Sequence, residues 1–155
     1  MDARLRLYTD IVMAMRSEVP EIKTFDFWNR QVEFMQEDTA FECPALFIEF
    51  GAIQWAQKYK ETRRGLEGLG EVRLHLVTDW HAHEDGVTAI QLSEKMFQAL
   101  LEMPGVDDYQ LGFPSQTLTN HDHEEVMESI EVIGARYWRD IPCLLYTSDA
   151  ADDLT

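Results

Sequence analysis

Leu5, Tyr8, Ile11, Val12, Met15 and Val19 recur at steps of three and four residues, with Arg4, Arg6, Asp10, Arg16 and Glu18 between them. That spacing predicts an amphipathic helix over about residues 3–18, stopped by Pro20. Lys23 to Trp28 is rich in β-formers, with Phe25 and Phe27 on one side, and reads as a strand. Gln31 to Phe41 is polar and acidic and reads as a loop. Ala45 to Phe50 is an apolar run bounded by Pro44 and Gly51, the pattern of a buried central strand, which 53–60 continues or pairs with. Gly65, Gly68 and Gly70 punctuate a turn and are assigned to a loop, because their spacing reverses a dinucleotide fingerprint and no helix start follows.

Val72, Leu74, Leu76 and Thr78 alternate with Arg73, His75, Val77 and Asp79 in a further strand. Asp85-Gly86 is read as a turn, and Thr88 with Gln91 as a capping box opening a second helix that presents Ile90, Met96, Phe97, Leu100 and Leu101 and ends at Pro104-Gly105. Strands at about 109–119 and 129–138 close the chain, separated by a polar stretch over 120–125. Strands joined by turns favour antiparallel pairing, and two helices suffice to cover one face. The expected class is α+β: a mostly antiparallel sheet of four to six strands with two helices packed on one face, in a single domain over residues 1–141.

Composition narrows the picture. With 155 residues, 45% hydrophobic and 27% charged, the chain reads as one globular unit with a single core. Apolar runs such as Ala45-Leu46-Phe47-Ile48 are far shorter than the ~20 residues a membrane helix needs. Met1-Asp2-Ala3-Arg4 runs straight into the amphipathic pattern rather than into a signal peptide, so a cytosolic or particle-bound protein with no membrane partner is the expectation. Against 13 Lys and Arg stand 29 Asp and Glu, a formal charge of −16. Such a surface repels a phosphate backbone and lacks the counterion release that drives DNA affinity, which argues against sequence-specific nucleic-acid binding.

Residues 142–155 break with everything before them: they hold no Lys or Arg, and Cys143-Leu144-Leu145-Tyr146-Thr147-Ser148-Asp149-Ala150-Ala151-Asp152 resembles the translation of a sequencing adapter. Read as a non-native tail, this segment is excluded from the fold. Without its Asp149, Asp152 and Asp153 the charge is −13, and Cys43 is the one native cysteine.

Two histidine doublets come nearest to a chemical site: His81-Ala82-His83-Glu84-Asp85 and His121-Asp122-His123-Glu124-Glu125. Imidazole with carboxylate suits zinc, nickel or iron, and two His at i and i+2 of an extended segment point the same way. A metal-binding module or metal-dependent enzyme built on His81, His83, His121 and His123 is therefore the alternative reading. The same doublets also read as solvated turns in an acid-rich protein, and no His-Glu-x-x-His helix exists, since position 87 is Val and position 127 is Met. No Gly-x-Ser-x-Gly or Walker loop is present, and Cys43, before Pro44 at the mouth of an apolar strand, reads as a packed structural thiol. No catalytic residue, metal or cofactor is assigned. Lys58, Lys60, Arg63 and Arg64 form the one basic cluster, near Trp55, Tyr59 and Trp80. A basic tip on an acidic molecule suits head-to-tail pairing of copies, and Trp55 and Tyr59 are residue types favoured as interface anchors; a solvated hairpin tip is the plainer reading.

Taken together, the opening helix ending in Val19-Pro20-Glu21-Ile22, the Cys43-Pro44-Ala45-Leu46-Phe47-Ile48 strand, the hairpin into Gly70-Glu71-Val72-Arg73-Leu74-His75-Leu76, Ala99-Leu100-Leu101 before Pro104-Gly105-Val106, and the closing strand to Trp138-Arg139-Asp140 resemble the tail-terminator, or tail-completion, proteins of long-tailed phages and prophages. The resemblance spans residues 1–141 and lies in order and texture rather than in one motif. It implies a non-enzymatic α+β protomer of the virion, assembled in the host cytoplasm into a homo-oligomeric, usually hexameric ring that completes the tail tube and joins it to the head, with tail-tube and head-connector proteins as partners. It brings no catalytic residue and no cofactor.

Overall fold

The computed structural model describes residues 2–34, 41–57, 65–80, 83–120 and 126–140. The element order is α1 (Ala3–Glu18), β1 (Thr24–Phe27), a 3-10 turn (Gln31–Phe34), β2 (Ala45–Gln57), β3 (Leu66–Asp79), α2 (His83–Leu101), β4 (Tyr109–Asn120) and β5 (Val126–Arg139). The five strands form one sheet in the order β1-β2-β3-β5-β4, antiparallel except for the parallel β1–β2 pair. The protein is α+β, as its pattern predicts. The parallel pair departs from the expectation for neighbouring strands: β1 reaches β2 through the long 28–44 connection instead of a turn, so nothing forces the chain to reverse.

α1 is fixed at both ends by local chemistry. The Asp2 side chain accepts from the Arg4 N–H at 2.8 Å, the N-cap arrangement, and the Val19 N–H donates to the Met15 carbonyl before Pro20. Ala3, Leu7, Ile11, Met15 and Val19 make its buried stripe at four-residue steps. Leu7 belongs to that stripe and Leu5 does not, being 48% exposed.

α2 starts at His83, so Asp85-Gly86 lies inside its first turns rather than in a turn before Thr88. Gly86 is there because Trp80 folds back on it: a Cβ would stand 2.6 Å from the Trp80 ring. The buried positions of α2 include Ala89, Leu92, Met96 and Ala99, whereas Ile90 and Leu101 face outward. α2 crosses from β3 to β4 while β5 fills the place between them, so β3 and β4 run parallel without touching.

Both helices pack on one face of the sheet. Leu7, Ile11 and Met15 of α1 and Leu92, Met96 and Ala99 of α2 meet Leu46, Ile48, Val72, Leu74, Leu76, Ile133, Ala135 and Tyr137. A smaller cluster on the opposite face joins Ala45, Phe47, Val77 and Val126 to Val32, with Trp28, Phe41 and Cys43 at its margin. Part of the segment read as a loop is thus a 3-10 turn that covers the second face, because Val32 and the flanking aromatics have apolar surface to bury.

Gly68 and Gly70 belong to β3, not to a loop. They run as strand beneath Ile53 and Trp55, which continue β2 after a register shift between Phe50 and Ile53. Among the described residues no helix is long and apolar enough to cross a membrane. Residues 142–155 lie outside the described set. Deleting Cys143 to Thr155 is expected to leave the thermal midpoint unchanged; a fall of several degrees in scanning calorimetry means that the segment packs.

Candidate functional site

Of the six residues assigned to an interface from sequence, Trp55 is described, and Lys58, Tyr59, Lys60, Arg63 and Arg64 lie outside the described residues. β2 seats Trp55 opposite Gly68 of β3, where the missing side chain makes room for the indole. The Arg139 guanidinium lies 4.4 Å from the Trp55 ring centre, a cation–π contact. The pair lines a cavity of 270 Å³ together with Asp2, Arg4 and Tyr137. Arg4 holds the Asp2 carboxyl below its ordinary range by hydrogen bonding, and burial pushes the Tyr137 hydroxyl up to about 12.

His81, His121 and His123 lie outside the described residues, and His83 is the first residue of α2. Among the described residues no group of three or more His, Cys, Asp or Glu is arranged to hold a metal ion. Replacing His81, His83, His121 and His123 with Gln is expected to leave folding and assembly unchanged. Metal analysis of the untagged protein is the companion measurement: stoichiometric zinc that disappears in the variant, along with folding or assembly, would establish the metal reading. Cys43 is half-buried beside the second cluster, and desolvation pushes its thiol up to about 11, the opposite of an activated nucleophile.

One polar constellation has no counterpart among the residues singled out from sequence. His75, in the middle strand β3, is buried at 4% exposure and holds a carboxylate at each ring nitrogen. Nδ1 is 2.9 Å from Oε2 of Glu128 on β5, and Nε2 is 2.8 Å from Oε1 of Glu49 on β2. Asn120 Nδ2 donates to the other Glu128 oxygen at 3.2 Å, and the Trp28 ring stacks flat on the imidazole, 3.9 Å between centres and 2° from parallel.

The two ring nitrogens point away from each other into different carboxylates. The cluster therefore ties three strands and the 28–34 segment together instead of converging on one ion or substrate. The register explains the arrangement: His75 pairs with Phe47 and Ile130, and Glu49 lies two residues after Phe47 on β2 while Glu128 lies two residues before Ile130 on β5, so both stand on the His75 face, one to each side of its level. Alternation places His75 on a face, but its partners are 26 and 53 residues away in sequence.

An apolar concavity lies elsewhere. A groove of 520 Å³ runs between the end of α2 and the first half of β4, walled by Phe97, Leu100, Met103, Val106, Leu111 and Phe113. Phe113 is 72% exposed and Leu101, also on the rim, 48%. Burial and a hydrogen bond to Asp10 push the Tyr109 hydroxyl at its floor far up, so that Tyr109 is a neutral donor to Asp10 at 2.7 Å. An apolar groove rimmed by exposed aromatic and aliphatic side chains can take up apolar side chains of a partner.

The chain matches no protein-family model, and no curated protein is significantly similar to it.

Proposed function

We propose that the protein is a structural ring-former of the phage tail-terminator kind, completing a tail tube and joining it to the head. The observation that supports this best is the protomer itself: two helices on one face of a five-stranded sheet, the α+β class that the resemblance implies, in the element order the sequence pattern predicts. The charge adds a physical reason. With copies each at −16, or −13 without residues 142–155, a ring that turns acidic side chains inward would let DNA pass without sticking, because a negative lining does not replace its counterions. Its partners are then further copies of itself, the tail tube and the head connector.

The test is assembly. Light scattering and negative-stain imaging are expected to show closed rings, with six copies the expected number, in the purified protein or after mixing with its tail-tube partner. A monomer at high concentration, also with that partner present, overturns the reading. The basic run supplies a finer prediction. Reversing Lys58, Lys60, Arg63 and Arg64 to Glu is expected to slow or block ring formation without unfolding the protomer, and the wild-type assembly rate is expected to fall with salt, since charges at a contact rim are screened over ~8 Å at physiological ionic strength. Rings that form equally fast in the reversed variant make the run a solvated tip.

A further inference from the structure

Two strands of the sheet leave backbone edges that no described strand covers. β4 is the last strand on one side. On the other side β1 pairs only with Ala45–Ile48 of β2, and no described strand pairs with the remainder of β2 on that side. Edge strands are where charged side chains normally accumulate, because charge stops a bare edge from recruiting another chain. Here the charges are distributed the other way round. The inner strands hold them: Glu67, Glu71, Arg73 and Asp79 on β3, and Glu128, Glu131, Arg136 and Arg139 on β5. β4 has no Asp, Glu, Lys, Arg or His in twelve residues, and neither does Phe50 to Gln57 of β2. Copies that each bear −16 repel one another, so self-association requires contact surfaces free of like charge.

We infer that these two edges are the two halves of one contact: β4 of one copy adds to the outer half of β2 in the next, continuing the sheet from copy to copy. This rests on the ring reading proposed above and names the surface by which such a ring closes. β2 and β4 run in opposite directions within the sheet, so a neighbour related by rotation about an axis along the strands sets β4 antiparallel to β2 with the helices on the same face. The levels agree as well. Gln54 pairs with Leu69, Leu69 with Arg136 and Arg136 with Gln110, so Gln54 and Gln110 stand at the same height on opposite edges, both exposed. Each edge has its irregularity at one common height too, Phe50 on β2 and Pro114 on β4, both level with Ile133 through Val72. The regular stretches beyond them, Ile53–Gln57 and Tyr109–Leu111, face outward at matching heights.

Side chains then reinforce a short ladder. In the continued sheet, Ile53 and Trp55 of the incoming strand stand on the helix face beside the apolar groove walled by Leu100, Leu111 and Phe113.

Cysteine pairing tests this directly. In a Cys143→Ser background, with Cys43 left in place, Gln54→Cys and Gln110→Cys are introduced together and the protein is oxidised. Within one chain the two positions are three strand spacings apart, about 14 Å, beyond the Cα separation of 4.4–6.8 Å that a disulfide spans. Any bond between them therefore links two copies. The expected result is a ladder of covalent oligomers ending at the size of the ring, a heterodimer on mixing the two single variants, and only monomer from either single variant alone. A covalent homodimer from a single variant means two-fold pairing of like edges and overturns the inference.

A charge pair gives the second measurement at these exposed positions. Gln54→Glu with Gln110→Glu is expected to weaken assembly at least tenfold, and Gln54→Lys with Gln110→Glu to restore it, with unchanged far-ultraviolet circular dichroism throughout. If the wild type forms rings while no ladder appears and both charge pairs assemble normally, the edge contact is wrong and the ring reading stands. If the wild type never assembles, the ring reading itself falls.

Discussion

Replacing His75 with alanine is expected to destabilise the protein by about 3–5 kcal/mol, because it leaves a buried carboxylate short of its hydrogen-bond partner and opens a cavity under Trp28. On a chain of this size that lowers the thermal midpoint on the order of 10 °C. The loss arises chiefly at Glu128. Glu49 keeps 38% of its side chain in solvent and can exchange the imidazole for water, whereas Glu128 is only 4% exposed and loses its 2.9 Å contact in a place water does not readily reach. Trp28 loses its stacking partner in the same step. Urea unfolding of three variants separates these contributions. His75→Ala should be the least stable. His75→Leu combined with Glu128→Leu should recover most of the loss, because two apolar groups leave no buried carboxylate to satisfy. Glu49→Gln should stay within about 1 kcal/mol of wild type, as half-exposed pairs do. If His75→Ala were as mild as Glu49→Gln, the cluster would not be what ties β2, β3 and β5 to the 28–34 segment.

This cluster also marks the boundary of what the sequence pattern can reveal. The extent of α1 is legible because its determinants are local, an apolar pattern at steps of three and four residues and Pro20 lying within twenty positions of one another, although the pattern puts Leu5 where Leu7 is buried. β5 and the second half of β3 are legible from alternation for the same reason. The first half of β3 is not, since Gly65, Gly68 and Gly70 carry a turn signal locally, and Gly68 and Gly70 become strand only because Ile53 and Trp55 need bare backbone beneath them. Gly86 is the same case in α2, with Trp80 as the group that needs the space. The apolar face of α2 is ambiguous for another reason: Ile90 and Leu101 are as hydrophobic as Leu92 and Met96, and which set goes inward depends on where the sheet lies. For the candidate site, residue type brought Trp55 to notice. His75, Glu49 and Glu128 are three unremarkable letters until the strand order β2-β3-β5 makes them neighbours.

Gly68 and Gly134 should respond in opposite ways to the same added methyl group. At Gly68 a Cβ would stand 2.6 Å from Cγ2 of Ile53 and 2.8 Å from Cε3 of Trp55. Neither is the far end of a flexible chain: one is a β-branch close to the backbone, the other a rigid ring held under Arg139. Relief requires the β2 strand or the indole to lift, and overpacking of this kind costs about 1–3 kcal/mol. Gly134 lies exposed on β5 with nothing within 4 Å of a built Cβ, so alanine there only restricts the unfolded chain and should stabilise by about 0.4–1 kcal/mol. Neither glycine has a positive φ, so backbone strain does not enter the comparison.

The loss at Gly68 should also be specific to its neighbours. Adding Ile53→Ala to Gly68→Ala removes the closest clash, and the pair should be more stable than the sum of the two single changes by about 1 kcal/mol, a coupling that Gly134→Ala with Ile53→Ala should not show. Denaturant midpoints of the three single and two double variants measure it. If Gly68→Ala behaves like Gly134→Ala, Ile53 and Trp55 are not seated on β3, and the regular outer stretch of β2 on which edge-to-edge assembly depends is not held in the register described.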